Sequence, residues 1–231
     1  MLSLGTEKPL FMGVDMSINH GALVVIDRSA DVVAHRILST RQKDLKLPGV
    51  EMIPKAVTGT SADDMHVRSV ERLSWLKGWY QRAIHGLRAE LGVLRLTALI
   101  EDYAYGAARG AHQIGESGGL LRIVLSAFCD LRFYSPTSAK SFAAGSGRAK
   151  KDDMIRAVTN WGVDVPDLAA AVAEDYCDAY ALARMGLLEW EVRKGWKELT
   201  ALTQRERDIF LSGGKKGDNL LTRPYVTLET K

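Results

Sequence analysis

The sequence predicts an α/β domain, a mixed sheet of five strands with helices on its faces. Two observations carry this. Short apolar runs bounded by turn residues alternate with longer segments of helical period, in the order β-β-β-α-β-α-β-α. The first three runs are joined by turns too short for a crossover, so they pair as an antiparallel meander, and the helices between the later strands make the sheet mixed. With 231 residues, 46% of them hydrophobic, the chain can fill one good core. The simplest division is one domain over residues 1–186 and an extension over 187–231.

Residues 10–16 read as a central strand, apolar on both faces. Asn19-His20-Gly21 turns the chain into a second strand, 21–27, and Arg28-Ser29-Ala30 into a third, 31–38. Residues 39–65 show no clean period and are expected to form a long mobile loop carrying Arg41, Lys43, Lys46 and Lys55. Residues 66–91 give the strongest helix, with Val67, Val70, Leu73, Leu76, Trp79 and Ile84 at helical spacing. The fourth strand, 93–101, leads into a polar connector over 102–114. A helix over 115–129 precedes a short fifth strand, 131–134. Pro136 opens a helix that Gly145-Ser146-Gly147 breaks; helices over 151–161 and 167–187 follow. The Trp-, Lys- and Arg-rich stretch 187–198 can extend a helix, and a short helix at 202–211 and a loose tail from Ser212 complete the chain.

The net charge of +3, from 31 Lys and Arg against 28 Asp and Glu, does not by itself announce a nucleic-acid partner. Two cysteines, Cys129 and Cys177, without a CxxC motif argue against a disulfide framework or zinc site. They suit buried thiols of a reducing compartment. No apolar h-region opens the chain and no run approaches the ~20 apolar residues of a membrane span, so a cytoplasmic protein with no membrane partner is expected.

Four acids stand out. Asp15 ends the first apolar run and Glu101 ends the fourth strand. Asp175 and Asp178 lie three apart on the alanine-rich last helix, hence on one face. Carboxylates at the ends of buried strands are costly unless paired, and oxygen-bound divalent cations are their natural partners. If the first and fourth strands are neighbours and the last helix packs beside them, all four converge. Two ions there would support phosphoryl-transfer chemistry of the nuclease kind. Glu174, turned about 100° from Asp175, ranks below them, and Asp102, on the opposite strand face from Glu101, reads as structural. Tyr103, Tyr105 and Arg109 follow Glu101 and could stack on bases or touch phosphates. Lys140, Arg148, Lys150 and Lys151 flank the Gly-Ser-Gly turn and could hold phosphates. No GxxxxGK[ST] loop is present.

In order and approximate spacing, Gly13-Val14-Asp15-Met16-Ser17, residues 98–105, Ser135-Pro136 with Lys140, residues 145–151 and Asp175-Tyr176-Cys177-Asp178-Ala179 resemble the RuvC Holliday-junction resolvases over residues 10–185. The resemblance implies an RNase H-like fold, a homodimer, Mg²⁺ or Mn²⁺ (two ions per site), and paired nicking of four-way DNA junctions in a bacterial cell or phage-infected host. It makes Asp15, Glu101, Asp175 and Asp178 the metal-binding and catalytic set. Lys151 becomes the catalytic cation, and Lys140 and Lys151 DNA contacts near the scissile phosphate. The family often has an aromatic three positions after the strand-four acid; here Ala104 stands there, between Tyr103 and Tyr105. The segments 39–65 and 187–231 look like additions, as in a phage-type branch. Competing expectations are an RNase H-type or less selective DNA nuclease, a junction-binding protein without cleavage, and an actin-like ATPase, which lacks its second phosphate loop here.

Overall fold

The computed structural model describes residues 9–17, 19–54, 65–102, 111–212 and 219–228. Six strands form one sheet: β1 (Phe11–Met16), β2 (Gly21–Ile26), β3 (Val32–Ser39), β4 (Val50–Met52), β5 (Leu96–Glu101) and β6 (Cys129–Tyr134), in the order β4-β3-β2-β1-β5-β6. The expected meander is present: β1 pairs antiparallel with β2, and β2 with β3. On its other side β1 runs parallel to β5, and β5 parallel to β6. The first and fourth predicted strands are therefore neighbours.

Helices cover both faces. One face carries α1 (Met65–Leu91) and α2 (Ala111–Ser126); the other carries α3 (Pro136–Ala144), α4 (Lys151–Asn160), α5 (Ala170–Arg193) and α6 (Gln204–Ser212). Side chains alternate accordingly. Met12 and Val14 pack toward Trp79, Ile84 and Leu125, while Phe11 packs toward α5. With both faces covered, the central strands read as continuous apolar runs rather than alternating ones.

The sixth strand is a departure from the five expected. β4 lies inside the segment expected to be a mobile loop, pairs parallel with β3, and follows a 3₁₀ turn at Gln42–Lys46. A three-residue edge strand of sequence Val-Glu-Met offers no period to detect. This segment is anchored through Asp44, which is fully buried. Asp44 accepts from Ser39 Oγ at 2.6 Å and from the backbone amide of Ala169, at the start of α5, at 3.1 Å. An aspartate borrowed from 125 residues away thus satisfies an amide at the N-terminal end of the site helix.

The last helix takes up part of the stretch 187–198, where the sequence allows an extension. α5 continues unbroken past residue 187 to Arg193, and Leu202, Ile209, Phe210 and Leu220 join its core. Nor is the tail loose over 219–228. Val226 and Leu131 exchange backbone hydrogen bonds of 2.9 Å in both directions, so the tail lies along the β6 edge. Both cysteines are free and buried. Among the described residues no helix is long and apolar enough to cross a membrane.

Gly13 sets the approach of α5 to the sheet. A Cβ at this position would lie 1.7 Å from the carbonyl oxygen of Ala179 and 2.8 Å from the amide nitrogen of Ala183. Helix backbone therefore rests directly on strand backbone, with alanines at the contact. Gly13→Ala should lower stability by at least about 2 kcal/mol, since the obstruction is backbone that cannot rotate away. Urea unfolding checks this; an unchanged midpoint would mean that α5 does not sit this close.

Candidate active site

The alternation of β1 puts Gly13 on the α5 side, and Asp15, two residues on, shares that side. On β5, Leu99 faces α5, so Glu101 does too. The parallel register Gly13↔Leu99 sets the two acids beside each other at the carboxyl ends of adjacent strands. Close packing at Gly13 and Ala179 then brings the preceding turn of α5 over these strand ends. The result is a cleft of about 340 Å³ lined by Asp15, Glu101, Glu174, Asp175 and Asp178, walled on the other side by Gly118 and Leu121 of α2.

Glu174 is a correction. Residues 174 and 178 are four apart, only about 40° around the helix, so Asp178 lies between Glu174 and Asp175 and all three face the cleft. His20, which no sequence pattern marks as a site residue, also reaches the acids. The turn after β1, in which Ser17 and His20 bond through the Ser17 hydroxyl and amide, directs His20 Nδ1 onto the Asp175 carboxylate. No local pattern marks a contact between residues 155 apart.

Electrostatics follow from crowding. Burial, then Asp175, Asp178, Glu101 and Glu174, push the Asp15 carboxyl well above its usual range. Burial raises Glu101, with Lys140 of α3 opposing it. Burial raises Asp175, opposed by the His20 hydrogen bond. Asp178 is pushed up to about 7 by burial, against Lys140 and together with Glu101, Glu174 and Asp175. Lys151, at the start of α4, pairs with Glu174, and this hydrogen bond raises its pKa. Lys140 and Lys151 therefore both border the acids. Lys150 and Arg148 are exposed on the turn leading to α4. Asp102 lines the same cleft and pairs there with Arg122, at 2.8 Å. Tyr103, Tyr105 and Arg109 lie outside the described residues.

The donor set suits a hard divalent cation, being oxygen only and carrying excess negative charge. One observation favours a missing partner: Oδ1 of Asp178 is buried without a hydrogen bond. As they stand, the side chains have not closed into a ligand shell, since among the described residues no three His, Cys, Asp or Glu groups are arranged to hold a metal ion. Asp175 is turned to His20 and Glu174 to Lys151.

A central antiparallel hairpin with parallel strands added at β1 and helices on both faces is the RNase H-like fold. Within that class, the chain is similar to the RuvC of Thermus thermophilus. It is 16% identical to "T. thermophilus RuvC in complex with Holliday junction substrate", over 81% of this chain and 96% of that one, with a TM-score of 0.50. A second Thermus thermophilus RuvC structure is 18% identical over 80% and 96%, with a TM-score of 0.48. No family model matches the chain. No curated protein matches it either.

Proposed function

We propose that the protein is a divalent-metal-dependent, structure-selective endonuclease that resolves four-way DNA junctions by paired nicking. The observation that carries this reading is the convergence of Asp15, Glu101, Asp175 and Asp178 at the strand ends of an RNase H-like fold. The similar solved structure described as a junction complex supports the choice of substrate.

Asp15, Glu101, Asp175 and Asp178 would hold Mg²⁺ or Mn²⁺, with Glu174 adding charge. When bound, such ions activate water and offset charge on the attacking and leaving oxygens of a phosphodiester. The chain's own residues do the rest. Lys140 and Lys151 border the acids and balance phosphate charge at the cleft mouth. Lys150 and Arg148 extend that positive edge along the DNA backbone. His20 holds the Asp175 carboxylate in one orientation. A homodimer would present two such clefts to the two symmetric strands of a junction.

The test is Mg²⁺-dependent cleavage of a labelled four-way junction beside flap, RNA–DNA hybrid and linear duplex, with Asp175→Asn as control. Symmetric nicks in the junction, absent from the variant, are the expected result. Preferential cutting of hybrid or linear duplex would overturn the substrate, and tight binding without nicking would overturn the enzyme.

A further inference from the structure

A second cleft, of about 580 Å³, lies between α3 and α6, lined by Thr137, Ser138, Ser141, Gly147, Gln204, Arg205, Asp208 and Ile209. We propose that it is a phosphodiester-binding subsite, with Arg205 as its cation, that extends the DNA path beyond the catalytic cleft. This rests on the nuclease reading above. Its α6 wall, Gln204, Arg205, Asp208 and Ile209, belongs to the extension after residue 187, which the family resemblance does not reach; its α3 wall lies within that resemblance.

Three observations carry it. The first is composition: three hydroxyls, an amide and a guanidinium line one concave surface, the donors that phosphate oxygens accept from. The second is placement of the cation. Arg205 packs flat on the turn that ends α3, its Nη1 and Nη2 lying 3.0 and 3.1 Å from where a Cβ of Gly145 would stand. Gly145 has φ of 84° and caps α3 in the left-handed region. It also leaves the space that the guanidinium fills. Arg205 is exposed and takes no ion pair among the described residues. Its neighbour Arg207, by contrast, donates to the carbonyl of Leu202 at 2.6 Å and to Gln204 Oε1 at 3.1 Å. Arg207 is structural; Arg205 is held in place yet unspent.

The third observation is continuity. Thr137 and Ser141 are four apart on α3, and Lys140 lies about 60° around the same helix from Thr137, on the side of Glu101 and Asp178. The turn from Gly145 to Lys150 runs along α3, with Gly147 packed on Thr137, and delivers Lys151 to Glu174. One helix of roughly 10 Å diameter separates the two clefts, so a single DNA backbone crossing α3 meets both. The carboxylate lining the second cleft, Asp208, accepts from Gln204 Nε2 at 2.7 Å and opposes an anion there. It supplies a test of opposite sign.

The experiment is binding of the full chain to a labelled four-way junction across a salt series, with Ca²⁺ replacing Mg²⁺. Arg205→Glu should weaken binding about tenfold and reduce the salt slope by about one, with melting temperature unchanged. Arg205→Lys should keep the slope, and Asp208→Asn should tighten binding. If the parent binds junctions and Arg205→Glu matches it in affinity and slope, the subsite is wrong while the nuclease reading stands. If Arg205→Glu unfolds, failure of Asp208→Asn to tighten binding overturns the subsite. If the parent binds no branched DNA, both fall.

Discussion

Replacing Asp178 with Asn should give a protein that still binds four-way junctions, nicks them on the order of 10²–10³-fold more slowly, and melts at a higher temperature than the parent at pH 8 without divalent ions. Loss of nicking follows from removing one ligand and its charge from the cleft. The gain in stability follows from burial among other acids. The Asp178 carboxyl titrates near 7 in the folded protein, against 3.8 for an unperturbed group. Between those values the folded state holds a proton that the unfolded state has released. The unfolded state thus binds fewer protons, and stability falls as pH rises from about 4 to about 7, then levels off.

Asn is neutral throughout and escapes that loss. At pH 8 the variant should be more stable by roughly 1–3 kcal/mol, discounted because Asp178 is only partly buried. For a chain of this size each kcal/mol moves the melting temperature by about 2–4 °C. At pH 4 the two proteins should melt together. Mg²⁺ should raise the parent's melting temperature more than the variant's, because the ion relieves the same repulsion. A variant that is less stable at pH 8, or that nicks at the parental rate, would remove Asp178 from the site.

The parts of this site that were legible in the sequence are those fixed by short-range rules. Asp15 and Glu101 each close an apolar run, and alternation along two neighbouring parallel strands turns them to the same face. Asp175 and Asp178 are set together by helical spacing. Glu174 was readable by the same rule, but from its relation to Asp178 rather than to Asp175. What could not be read depends on contacts made after the chain has folded. His20 meets Asp175 only because the turn after β1 lies against α5, and Asp44 meets Ala169 only because the turn after β3 reaches the start of that helix. The extension of α5 past residue 187 is allowed by the sequence, but its end at Arg193 is not fixed, because a helix apolar on nearly every side carries no face-to-face contrast. The order of the tail is invisible in the sequence because its anchors are mostly backbone carbonyls, which no side-chain pattern reports.

Those anchors converge on one carboxylate, and its removal should be the most damaging change outside the active site. Glu189 of α5 has no exposed surface. It pairs with Arg132 of β6, lies 2.9 Å from Nε of Arg193, and accepts from the Tyr134 hydroxyl at 2.6 Å. The two arginines reach outward from it. Arg132 donates to the carbonyls of Leu220 and Arg223 at 3.1 and 2.8 Å, and Arg193 to that of Leu220 at 2.7 Å. The Tyr225 ring lies 4.7 and 5.1 Å from the two guanidinium carbons. The tail is thus strapped to β6 by cations whose charge Glu189 balances.

Glu189→Ala should cost roughly 3–5 kcal/mol, because it leaves two guanidiniums without their counter-charge and a phenol without its acceptor while adding a cavity. Hydrogen exchange should rise first at Val226 and Leu131, whose mutual bonds depend on the strap. Glu189→Gln keeps an acceptor but not the charge and should fall between. Arg132→Met combined with Glu189→Leu should recover most of the loss, since burying neither charge avoids both desolvation costs. That recovery separates an unbalanced charge from simple loss of packing. If the double variant is as unstable as Glu189→Ala, the network's value lies in its bonds to the tail carbonyls. If Glu189→Ala melts with the parent, the carboxylate is not what holds the tail.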